Sequence, residues 1–146
     1  MKTIQTSIII DSPIQNVWAI LTNFSEYANW NPLIQTIEGT PIVGNKIKAT
    51  LVLEGKKPML FEPEILVFDS QKELRWLGHL FVKGLFDGEH YFEVKTLDDG
   101  KTMFKQGEKF TGLLSSAIYS LIGEKTKNGF ISMNEALKQQ AENNKA

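Results

Sequence analysis

The 146-residue sequence contains no cysteine. That removes disulfide staples, thiolate metal ligands and a cysteine nucleophile together, and it suits a reducing compartment. Only two histidines occur, His79 and His90, with no HxxxH or HxH spacing, so a metal site is not expected. Charge of neither sign dominates: 16 Lys and Arg stand against 17 Asp and Glu, for a formal net charge of -1. The basic patch that phosphate backbones require is missing, and nucleic acid is not an expected partner. No apolar stretch approaches the ~20 residues that span a bilayer. The opening Met1-Lys2-Thr3-Ile4-Gln5-Thr6 lacks the apolar run and small-residue cleavage site of a signal peptide, so the cytoplasm is the expected location. A GxSxG elbow and the glycine fingerprints of nucleotide sites are also missing, and no cofactor is expected.

What is present is a sequence of ordinary globular composition, 42% hydrophobic and 23% charged. Its length fits one domain over residues 1–146 with a core of its own. The polar stretch 139–146 lacks an apolar period and reads as a frayed tail. Residues 3–10 alternate, with Ile4, Thr6, Ile8 and Ile10 on one face, which predicts a first strand. Ser12-Pro13-Ile14-Gln15 then reads as a helix start, with Ser12 as cap, Pro13 in the first turn and Gln15 closing a capping box. A second short helix over 24–30 ends at Asn31-Pro32. Strands follow over 33–37, 46–53, 58–68, 73–80, 86–96 and 101–111, with Pro63 marking an edge or a bulge in the third of these. The last helix is expected over 113–138, where Ile118, Ile122, Phe130, Met133 and Leu137 keep a roughly helical period. Gly123 and Gly129 interrupt it; a glycine in a helix facing a sheet permits close approach or leaves space, and such space could belong to a cavity. About seven strands outnumber what one helix covers if the sheet stays flat. The expected fold is therefore α+β, a curved antiparallel sheet wrapped around a long C-terminal helix, with two short helices after strand one and a ligand-sized gap inside.

Several local sequences carry a resemblance: Ile10-Asp11-Ser12-Pro13-Ile14-Gln15-Asn16-Val17-Trp18, Tyr27-Ala28-Asn29-Trp30-Asn31-Pro32, Glu73-Leu74-Arg75-Trp76, Gly84-Leu85-Phe86-Asp87-Gly88-Glu89-His90 and Gly107-Glu108-Lys109-Phe110-Thr111-Gly112. With the order of elements they resemble the START-like superfamily (SRPBCC), the helix-grip fold, and its bacterial polyketide cyclase/dehydrase-like branch. The likeness runs over nearly the whole chain. It implies a pocket for a hydrophobic molecule and leaves the chemistry open, since that superfamily mixes lipid carriers, aromatases and cyclases, hormone receptors and chaperone partners.

Parity supplies a candidate site. Phe86, Gly88, His90, Phe92 and Val94 share one face of their strand, and Phe104, Gln106, Glu108 and Phe110 share one face of the next. A three-residue loop at Asp98-Asp99-Gly100 lets both aromatic faces turn inward and pairs Thr96 with Thr102, Val94 with Phe104, Phe92 with Gln106, and His90 with Glu108. The sequence thus predicts a His90–Glu108 pair on the cavity side. A carboxylate beside it favours imidazolium, while burial opposes it. Three roles fit such a pair: orienting a ligand's oxygen atoms, moving a proton in a cyclisation or dehydration, or satisfying itself as a structural pair. Gln106 carries the same ambiguity. Leu51, Phe61, Trp76, Phe86, Phe92, Phe104, Phe110, Ile118 and Ile122 are the expected walls, and Trp30 is placed at the rim or in the core. The expected ligand is a lipid, isoprenoid or polyketide-like molecule. The alternatives are an aromatase/cyclase using the His–Glu pair and a protein-interaction module.

Overall fold

The computed structural model describes residues 2–80 and 82–143, without the side chain of residue 80. The chain is α+β, a curved antiparallel sheet packed on one long helix. Strand β1 (Lys2–Ile10) leads into helix α1 (Ile14–Thr22), a 3-10 turn at Phe24–Glu26 and helix α2 (Tyr27–Trp30). Strands β2 (Ile34–Glu38), β3 (Lys48–Leu51), β4 (Met59–Phe61), β5 (Glu64–Asp69), β6 (Glu73–Leu80), β7 (Phe86–Thr96) and β8 (Thr102–Thr111) follow, and helix α3 (Ser115–Asn143) closes the chain. The strands lie in two groups, β1-β8-β7-β6-β5 and β2-β3-β4. Backbone bonds from Ile47 N to Pro63 O and from Ile65 N to Asn45 O join the groups beside β5.

Helix α3 grips the concave face because Thr126, Phe130, Met133, Asn134, Leu137 and Ala141 recur at three- and four-residue steps and are buried. They meet the inward residues of the sheet, among them Ile4, Ile10, Phe92 and Phe104, each buried to 4% exposure or less. Burying an aromatic side chain of this kind contributes roughly 1.5–3 kcal/mol. Of the two readings of the helix glycines, close approach holds and open space does not. A Cβ on Gly129 would stand 2.7 Å from Leu33, and one on Gly123 would press on the Tyr119 ring at 3.2 Å, so both glycines permit close approach.

Three further expectations change. The predicted strand over 58–68 is two strands, broken at Glu62-Pro63, which raises the count from seven to eight. Proline lacks the N–H that would continue the ladder. A register shift between Ile65 and Val67 then turns Phe68, rather than Val67, toward the core, where its ring meets Trp18 at 5.6 Å. The capping box is not formed: Pro13 caps α1, and the Ser12 hydroxyl instead accepts from the Asn16 amide at 2.8 Å. Residues 139–143 are not frayed, since they complete α3 with Ala141 fully buried, and residues 144–146 lie outside the described residues.

Candidate functional site

Strands β2, β3, β4, β6, β7 and β8 and the first half of α3 line a partly open cavity of about 80 Å3. Gly78 of β6 and Gly88 of β7 are direct cross-strand partners, and both line it. A Cβ on Gly78 would make ordinary contact with Pro63 at 3.7 Å. A Cβ on Gly88 would lie 2.3 Å from a Glu108 carboxyl oxygen, so only glycine lets that carboxyl lie across β7. Phe86 and Phe110 stack at one end with ring centroids 5.3 Å apart and an 11° interplanar angle. Trp76 lines the wall beside His90, at 5.4 Å between ring centroids.

The hairpin has the expected register. Leu97 N donates to Lys101 O at 2.8 Å, Gly100 sits at φ 86°, and His90 pairs with Glu108 across β7 and β8. Both side chains line the cavity. Their atoms do not close on each other, because His90 Nδ1 and the nearer Glu108 oxygen are 4.0 Å apart, beyond hydrogen-bond range. The close partner of His90 is Gln106, whose Oε1 lies 2.8 Å from Nε2. Gln106 Nε2 donates to Asn134 Oδ1 at 2.8 Å, Asn134 Nδ2 donates to Thr6 Oγ1 at 2.8 Å, and that hydroxyl donates to the Gln106 carbonyl at 3.1 Å. Each donor in this chain fixes the next acceptor. The amide of Gln106 is committed as a donor to α3, so its oxygen faces His90, and the imidazole proton resides on Nε2. The lone pair on Nδ1 is thereby presented to the cavity.

Burial decides the charge of both groups. It pushes the His90 imidazole down to about 4, opposed by the bond to Gln106, and pushes the Glu108 carboxyl up to about 8. Near neutral pH the site therefore holds a neutral imidazole and a neutral carboxylic acid. The expected attraction of imidazolium and carboxylate loses to desolvation. The arrangement can offer one acceptor, Nδ1, and one O–H donor, Glu108, within apolar walls.

Eight of the thirteen sequence candidates meet at the cavity: His90, Glu108, Leu51, Phe61, Trp76, Phe86, Phe110 and Ile122. Five do not. Phe92 and Phe104 are fully buried core, Ile118 packs half-buried against it, and Gln106 lies behind His90, holding it. Trp30 packs on Tyr27 at 5.2 Å between centroids, with its indole N–H buried and unpaired. His79 faces outward and binds Asp87 at 2.7 Å. Ala49, Leu53 and Met59 also line the wall, their strand parity with Leu51 and Phe61 being a usable signal, and Ile34, Pro63 and Thr126 join them. Asn134, which anchors the polar chain, was signalled only as a polar residue within the apolar period of α3.

A sequence profile of the family described as polyketide cyclase / dehydrase and lipid transport matches residues 1–142. No curated protein matches the chain. Solved structures share its fold. The Zhui aromatase/cyclase from a Streptomyces species superposes with a TM-score of 0.78 at 12% identity, covering 97% of this chain and 93% of that one. A protein from Mesorhizobium loti gives 0.74 at 17% identity, covering 99% and 100%. A START superfamily protein from Mycobacterium smegmatis gives 0.72 at 12% identity, covering 97% of each.

Proposed function

From a chain that belongs to the polyketide cyclase/dehydrase and lipid transport family, we propose a protein that binds a small, largely apolar molecule in the cavity between sheet and α3. His90 and Glu108 orient it. The observation that carries this reading is a hollow lined by a cross-strand pair of glycines and walled by Phe86, Phe110 and Trp76, with the uncharged polar groups of His90 and Glu108 facing into it. A self-satisfied structural pair would close at hydrogen-bond distance, and this pair stands at 4.0 Å. At about 80 Å3 the hollow is smaller than the ~150 Å3 apolar cavity that accommodates benzene, so a guest parts the walls. The half-buried Leu51, Met59 and Ile122 are the side chains free to yield.

A second reading follows from the acid and the base. A carboxyl that titrates near neutrality, facing an imidazole lone pair, can give and take a proton, as an aldol cyclisation or dehydration needs. Native mass spectrometry of freshly purified protein separates the two. A co-purified lipophile, lost in His90→Ala, supports binding. An empty protein that converts a poly-β-keto substrate and stops with His90→Ala supports catalysis. Unchanged retention and unchanged turnover in His90→Ala make the pair structural and refute both.

A further inference from the structure

We propose that the cavity selects neutral ligands ending in a hydroxyl group (an alcohol, phenol or enol) whose single oxygen bridges His90 Nδ1 and the Glu108 carboxyl, and that it rejects carboxylates of the same size. This rests on the reading that the cavity holds a ligand, and it names that ligand's head group.

The geometry sets the bridging atom. The two protein atoms are 4.0 Å apart. One oxygen at about 2.8 Å from each subtends an angle of about 90°, which a hydroxyl can meet while donating on one side and accepting on the other. The directions of the bonds are fixed as well. Nε2–H is committed to Gln106, and Gln106 to Asn134, so Nδ1 only accepts. The Glu108 carboxyl lies over Gly88 in an apolar pocket, where burial keeps it protonated, so it donates. The atom between them must therefore give a proton to nitrogen and take one from oxygen. A hydroxyl does both. An ether or ketone oxygen only accepts, and leaves Nδ1 unpaired. A carboxylate also brings a charge, and among the described lining residues there is no lysine or arginine to receive it. A ligand ammonium would need Glu108 ionised, against the same burial.

Binding of five one-ring probes by calorimetric or ligand-observed NMR titration at pH 6.5 tests this: phenol, anisole, toluene, benzoate and benzylamine. Phenol is expected to bind about tenfold or more tightly than anisole, toluene, benzoate and benzylamine, the discrimination typical of a buried hydrogen-bonded site. In His90→Phe the advantage of phenol over anisole is expected to vanish. Where that variant does not fold, the wild-type series decides alone. Equal affinity for phenol and anisole overturns the proposal, as does benzoate or benzylamine binding as tightly as phenol. If toluene binds as well as phenol, hydroxyl selection fails and the cavity reading stands. If none of the five binds, the cavity reading itself fails.

Discussion

Glu108 makes the stability of this protein depend on pH in a direction opposite to that of an ordinary paired carboxylate. Its carboxyl titrates near 4.5 in an unfolded chain and about 8 in the native state. Below pH 4.5 both states hold the proton and Glu108 is neutral in the balance. Between 4.5 and 8 the native state holds a proton that the unfolded state has lost, so rising pH favours unfolding by about 1.4 kcal/mol per unit. His90 works the other way. Its unfolded value of 6.5 falls to about 4 on folding, so stability rises with pH from 4 to 6.5. The two slopes cancel between 4.5 and 6.5, and above 6.5 only Glu108 remains. Over the next 1.5 units this amounts to about 2 kcal/mol, and the 18% of the Glu108 side chain that stays exposed screens part of it, leaving about 1–2 kcal/mol.

Glu108→Gln isolates the effect, because an amide resembles the carboxylic acid in shape and polarity and does not ionise. Urea unfolding at half-unit steps from pH 4 to 9 gives the stability of each protein. The difference, variant minus wild type, is expected to be flat below pH 4.5, to climb through neutrality and to level near pH 8. Groups that titrate elsewhere in the fold cancel in this difference. A difference curve that stays flat from pH 4 to 9 would show that Glu108 titrates normally, and the neutral-acid description of the site would fall with it.

The remaining predictions concern how the site is held. Gly88→Ala forces a methyl into the Glu108 carboxyl and is expected to cost about 1–3 kcal/mol by thermal or urea unfolding. Adding Glu108→Ala should recover most of that cost, and strict additivity of the two changes would refute the contact. Gln106→Leu leaves His90 Nε2–H and Asn134 Oδ1 without their partner and is expected to cost several kcal/mol, at roughly 1–3 kcal/mol per orphaned group. Nitrogen-15 shifts of the imidazole should report one tautomer, Nε2–H, in the wild type and a mixture in that variant if it folds. Leu21→Ala, a core position on α1 that is not among the cavity's lining residues, should lower stability by about 2–5 kcal/mol while leaving the preference between phenol and anisole intact.

The parts of the fold legible in the sequence are those set by period-two alternation and one strong turn. The hairpin of β7 and β8 is the clearest case: Gly100 can take the positive φ the loop needs, and parity then pairs His90 with Glu108. Where the backbone departs from a regular period, legibility stops. Pro63 marks an edge or a bulge in the sequence, and the register shift that follows it, which alternation alone does not reveal, turns Phe68 rather than Val67 toward the core. Alternation names the face on which a residue stands and says nothing about the distance its side chain reaches. Phe92 and Phe104 stand on the same inward face as Phe86 and Phe110, yet α3 covers the first two and leaves the second two at the hollow.

The site itself was legible as a pairing and illegible as a set of bonds. Register brings His90 opposite Glu108, while the bond His90 makes goes to Gln106, because Gly88 draws the carboxyl away across β7 and Asn134 holds the amide in place from α3. These two influences come from residues outside the His90–Glu108 pair. A glycine whose alternation faces inward is here the absence of a side chain that leaves room for the acid. The same logic explains why the polar pair stays open. His90 is held through Nε2 by Gln106 and Glu108 leans over Gly88, so the acceptor Nδ1 and the Glu108 O–H stand 4.0 Å apart, unmet by each other and directed at whatever enters the cavity.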